Sequence, residues 1–107
     1  IYYTKASHHL MQDLNLLDVD VLSVDSLVGL KEVESRTSAR FSLQGNLDPV
    51  LLLKAEAGVV RKATRMLVQE ARLLKKPAIL NLGHGILPKT PVENARAFLE
   101  EASALWV

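Results

Sequence analysis

The sequence contains no cysteine. That excludes a disulfide framework and every zinc, iron-sulfur or nucleophilic site built on a thiolate. Charge of one sign is missing too: thirteen basic residues against twelve acidic ones leave a formal +1, so no overall field selects nucleic acid, an anionic membrane or an acidic partner. Aromatic residues are sparse, and none interleaves with the basic cluster Arg61, Lys62 and Arg65; the cluster reads as a solvated helix face and not as a nucleic-acid interface. No apolar run approaches the ~20 residues that span a bilayer, and no basic, apolar, small-residue leader opens the chain. The expectation is a cytoplasmic protein without a membrane or nucleic-acid partner. Walker loops, dinucleotide fingerprints and histidine-glutamate zinc motifs are also missing.

What is present is a chain of 107 residues, nearly half of them hydrophobic, enough for one globular unit with a modest core. It opens on the β-type run Ile1-Tyr2-Tyr3-Thr4 with no initiator methionine, which points to a piece of something longer. Leu10, Met11, Leu14 and Leu17 then recur at helical spacing, with Ser7 as the N-cap, and Asp18 stands where that helix must stop. VLSVD, Val21 to Asp25, is a second strand. A weaker helix follows, with Leu27, Leu30 and Val33 as its apolar stripe and Lys31, Glu32, Glu34 and Arg36 as its solvated face. FSLQG, Phe41 to Gly45, is a third strand; Asn46-Leu47-Asp48-Pro49 is a turn into a helix, with Asp48 as cap and Pro49 at the first helical position. In the longer helix beyond it, Val59, Val60, Ala63, Met66 and Leu67 face inward, Arg61, Lys62 and Arg65 face water, and Lys75 and Lys76 suit the negative end of the dipole. Ala78 to Leu82 is a fourth strand, and Thr90-Pro91-Val92-Glu93 has the form of a capping box with proline at the first helical position. The last helix carries Val92, Ala95, Phe98, Leu99 and Ala102 on one face.

Four strand-helix units in series imply parallel strands with helical crossovers. Alternation of side chains sends Leu22, Val24, Phe41, Leu43, Leu80 and Leu82 toward the helices and Ser23, Asp25, Ser42, Gln44 and Asn81 the other way. A sheet covered by helices on both sides is apolar on both, so a polar second face fits a barrel lumen. The expected class is α/β: about four βα units, half of a (β/α)8 TIM-type barrel, with residues 1–107 forming a single partial domain.

In such barrels the functional groups stand at the C-terminal ends of the strands. The candidates are Thr4-Lys5, Asp25-Ser26, Gln44-Gly45-Asn46 and Asn81 to His84. His84 lies between two glycines, which leaves it open to a ligand; the alternative is a histidine tied to its own loop. Asp25 suits a ligand N–H or a cation, or else a turn. Gly45 and Asn46 read first as turn residues, with Gln44 or Asn46 as candidate ligands, and Lys5 as an anion contact at the rim. His8 and His9 are neighbours, ~100° apart on a helix, and do not have the spacing of a metal pair. Ser7 beside His8 is likewise not the geometry of a catalytic triad.

Two longer motifs, LQGNLDP (Leu43 to Pro49) and NLGHGILPKTPVENARAF (Asn81 to Phe98), together with YYTK and DVLSVD, closely resemble the uroporphyrinogen decarboxylase family over essentially the whole chain. The resemblance implies the C-terminal half of a (β/α)8 barrel that removes four acetate carboxylates from uroporphyrinogen III, giving coproporphyrinogen III in haem biosynthesis, without cofactor or metal, usually as a cytoplasmic homodimer. It implies His84 as the active-site histidine of the Gly-His-Gly loop; the strand-end positions add Asp25, Gln44, Asn81 and Lys5 as expected substrate contacts. The family's arginines, its aspartate for the pyrrole N–H groups, and its tyrosine and serine fall upstream of Ile1, so the 107-residue chain alone is expected to be inactive. Ala6 and Ser7 stand where the family has glycines, Ser26 where it has Trp, and Asp18 where it commonly has Gly. Two other readings remain at this point. One is a related zinc- and cobalamin-linked methyltransferase, whose metal site needs the cysteine this chain lacks; the other is a non-catalytic half-barrel that acts only by association.

Overall fold

The computed structural model describes residues 1–4, 7–37 and 39–106. Lys5 and Ala6 lie outside the described residues, as do the side chains of Ser7 and His8, so the expected Lys5 anion contact, the Ser7 cap and the place of His8 fall there.

Strand β1 is Tyr2–Tyr3, followed by a single 3-10 turn, Ser7–Leu10, and α1, Met11–Leu14. Then come β2 (Val21–Ser23), α2 (Leu30–Arg36), β3 (Ser42–Leu47), α3 (Pro49–Lys54), α4 (Ala57–Arg72), β4 (Ile79–Leu82) and α5 (Val92–Leu105). The strands form one sheet in the order β1-β2-β3-β4, every pair parallel. Parallel strands in sequence order with helical crossovers are half of a (β/α)8 barrel, as the alternation pattern predicts.

Alternation is plain on β3, where Leu43, Gly45 and Leu47 are buried and Ser42, Gln44 and Asn46 are half-buried. Leu22, Val24, Phe41, Leu43 and Leu47 pack with Leu30 and Val33 of α2, Leu52 of α3, Val60 and Leu67 of α4 and Ala97 and Phe98 of α5. Asp48 caps α3 as expected: its side chain accepts from Val50 N at 2.9 Å and Pro49 opens the first turn.

Several local expectations are corrected. β3 runs on through Asn46 and Leu47, which pair with Asn81 and Leu82 instead of turning. Gly45 has φ +141°, and a Cβ there would stand 2.7 Å from the Val24 carbonyl oxygen, so it is a glycine of close strand approach. Leu27 lies before α2 and is exposed, and Glu34, expected in water, is only 5% exposed. Glu34 accepts from Lys31 Nζ at 2.8 Å and from the Lys75 amide at 2.6 Å, contacts that draw it inward. Burial opposes its ionisation, but the Lys31 ammonium and the Lys75 amide outweigh that and hold the carboxyl below its ordinary value.

On α4 the inward face is Val60, Thr64, Leu67, Val68 and Ala71, whereas Val59 and Met66 are exposed. Arg61 and Arg65 do not simply face water: Arg61 bonds Glu100 at 2.8 Å and Arg65 bonds Glu101 at 3.0 Å, across to α5. Lys75 and Lys76 lie beyond the end of α4, so Arg72 is the basic residue of its last turn.

Helix α5 starts differently from its motif. Lys89 has φ +68°, and both the amide and the hydroxyl of Thr90 donate to the Leu87 carbonyl, at 3.3 and 2.7 Å. The helix starts one residue later than the motif places it: the Pro91 carbonyl accepts from the Asn94 and Ala95 amides, Pro91 is the cap residue, and no side-chain cap bond forms. The buried face is Asn94, Ala97 and Phe98, with Val92 and Leu99 exposed, a rotation from the expected stripe. Asn94 explains it: its amide donates to the Leu52 carbonyl at 2.8 Å and the Ala55 carbonyl at 2.7 Å, closing the end of α3.

Candidate functional site

The lumen side of the sheet is built by register. Tyr3 lies opposite Ser23, Ser23 opposite Gln44, and Gln44 opposite Ile79; one step on, Asn46 lies opposite Asn81. Gln44 Nε2 donates to Ser23 Oγ at 3.1 Å, linking two strands across the polar row. Beside that row is an open trough of about 460 Å³ whose walls include Tyr3, Ser23, Gln44, Asn81 and His84. The volume lies within the range of small-molecule sites.

His84 is half-buried, and its Nδ1 lies 3.0 Å from the Gly85 carbonyl. A carbonyl partner makes Nδ1 the protonated nitrogen, which leaves Nε2 as acceptor in the neutral ring and donor in the charged one. The two flanking glycines play different parts. Gly85 has open space where a Cβ would stand, as a ligand-accessible loop requires. At Gly83 a Cβ would meet Ser26 N at 2.5 Å and Ser26 Cβ at 2.8 Å, so this glycine is there for packing and not for ligand access. The Gly83 amide also donates to the Leu47 carbonyl at 2.8 Å. The histidine loop is thus pinned to the ends of β2 and β3.

Of the residues expected at the site, His84, Gln44 and Asn81 come together in the trough wall. Asn81 Oδ1 accepts from Leu82 N at 2.8 Å, which commits the oxygen and leaves the amide nitrogen for recognition. Asp25 is buried and does not line the trough; its Oδ1 accepts from Leu27 N at 2.7 Å, the turn-forming role. Asn46 points its amide to the carbonyls of Asp25 and Val28 and so holds the same loop. Tyr3 was not singled out as a ligand from the sequence, although its parity with Ser23 places it in the trough. Burial, with the charge of Asp25 added, pushes its phenol up from the ordinary value. Among the described residues no three histidine, cysteine or acidic side chains are placed to hold a metal ion, and no helix is long and apolar enough to cross a membrane.

Comparison with known proteins adds the family. A uroporphyrinogen decarboxylase from Gloeobacter violaceus is 38% identical over 105 residues, 98% of this chain and 29% of its own length. One from Rickettsia akari is 47% identical over 83 residues, 78% of this chain and 23% of its own. The chain therefore spans less than a third of these relatives. Among solved structures, a methyltransferase from Methanosarcina mazei superposes with a TM-score of 0.76 over 92% of this chain and 28% of that one, at 22% identity, a likeness of fold alone. The family model described as Uroporphyrinogen decarboxylase (URO-D) matches residues 1–105, and the chain belongs to that family.

Proposed function

We propose that residues 1–107 are the C-terminal half of a uroporphyrinogen decarboxylase barrel and that the trough is one wall of its substrate pocket. The observation that carries this reading is the polar lumen row ending at His84, in a chain matched to the family from residue 1 to 105. The substrate is uroporphyrinogen III, whose four acetate side chains lose carbon dioxide to give coproporphyrinogen III. Protonating a pyrrole turns the ring into an electron sink; the carbon-carbon bond to the carboxylate breaks into it, and the side-chain carbon takes up a proton to end as methyl. Such chemistry calls for no cofactor.

The chain's own residues then bind and orient the substrate in four ways. His84, as the imidazolium, donates from Nε2 to a substrate carboxylate, its ring held in place by the Nδ1 contact with the Gly85 carbonyl. Gln44 and Asn81 hydrogen-bond further carboxylates along the row, and Lys5 supplies a cation at the rim. Asp25 acts through the loop it shapes. The proton-handling groups belong to the other half of the barrel, and the whole enzyme works as a cytoplasmic homodimer.

The full-length enzyme should form coproporphyrinogen from uroporphyrinogen under reducing conditions, and the purified 107-residue chain should not. His84→Asn in the full-length enzyme should lower turnover at least tenfold with an unchanged thermal midpoint. Unfolding without a specific loss of activity would make His84 structural. Stoichiometric zinc in the full-length protein would point instead to a zinc-dependent methyltransferase of the same fold.

A further inference from the structure

We infer that Tyr3 is a substrate-anchoring residue: its phenol donates a hydrogen bond to a peripheral carboxylate of the substrate, on the side of the trough opposite His84. The inference rests on the decarboxylase reading for the identity of the substrate, and on the geometry of the sheet for the residue. Tyr3 is paired with Ser23 in register, and Ser23 is bonded to Gln44, so the phenol heads a polar row that crosses three strands. The same trough is lined by Tyr3 at β1 and by Asn81 and His84 at and beyond β4.

Three strand spacings separate these walls, about 14 Å along the sheet. Donors that far apart suit two carboxylates carried on one large ring, whereas a small diacid would reach only one of them. Burial and the Asp25 charge both favour the neutral phenol, so Tyr3 remains a donor throughout the neutral range. Its neighbour Tyr2 alternates to the other face and lines a narrow space with Met11, Leu14 and Leu22, which makes it the natural control.

The test uses the full-length enzyme and separates binding from turnover. Uroporphyrin, the aromatic and unreactive octacarboxylate, is titrated into wild type, Tyr3→Phe and Tyr2→Phe, and KM and kcat for uroporphyrinogen are measured alongside. A hydrogen bond to a charged group predicts about a tenfold rise in Kd and KM for Tyr3→Phe, with kcat within twofold, an unchanged thermal midpoint, and no effect of Tyr2→Phe. An unchanged Kd in Tyr3→Phe overturns the inference whatever turnover does. A tenfold weaker Kd in a protein that forms no coproporphyrinogen upholds the anchoring role and removes only the decarboxylase reading.

Discussion

The two faces of the sheet are made by alternate residues of the same strands, yet they bear opposite loads. On the helix side, Leu22, Leu43 and Leu47 are closed in by α2, α3 and α4. On the lumen side, Ser23, Gln44 and Asn81 line the open trough with polar groups, Gln44 bonded to Ser23 across the row. One face carries the core and the other lines the trough proposed for recognition, and a shift of one residue in register would exchange them.

Substitutions on the two faces should therefore separate cleanly. The largest loss is expected for Leu43→Ala on the helix side, about 2–5 kcal/mol in urea unfolding; a cost under 1 kcal/mol would show that this face does not carry the fold. Next is Gly83→Ala, where the new methyl must displace the Ser26 backbone. A cost of about 1–3 kcal/mol is expected, and Gly85→Ala, which meets open space, should fall well below it. Glu34 gives the third contrast, a charge on the buried side. Its folded pKa is lowered, so its contribution is present above the unfolded value of about 4.3 and is lost as pH falls through the folded one. Urea midpoints of wild type should drop more steeply on acidification below about pH 4.5 than those of Glu34→Gln; parallel curves would deny it that role. The smallest effect belongs to the lumen: Gln44→Ala should change stability by less than about 0.5 kcal/mol while weakening uroporphyrin binding in the full-length enzyme, and the reverse pattern would dissolve the distinction between the faces.

How far these faces were legible depends on the range of the signal. Strand alternation and the Asp48-Pro49 helix start are local, and both were readable from neighbouring residues. Thr90-Pro91 carried an equally clear motif and was overridden, because the preceding loop turns Thr90 back onto the Leu87 carbonyl and the helix starts from Pro91 instead. Glu34, Arg61 and Arg65 read as solvated because their partners, Lys75, Glu100 and Glu101, are some 36 to 41 residues away. The face of α5 turned for the same reason, since Asn94 answers carbonyls on α3. At the site, parity brought Gln44 and Asn81 to the lumen and the Gly-His-Gly loop brought His84. Tyr3 escaped notice because a two-residue strand shows no alternation of its own.

The contacts of Gly83 bear on how the trough binds. With its amide on Leu47 and its α-carbon against Ser26, the histidine loop takes its position from the backbone of two neighbouring strands. His84 is preorganised before any ligand arrives, and little ordering entropy is left to spend at binding. On the proposed reading, affinity at this wall is tuned less by the residues beside the histidine in sequence than by whatever moves the ends of β2 and β3, because those ends set where the imidazole stands.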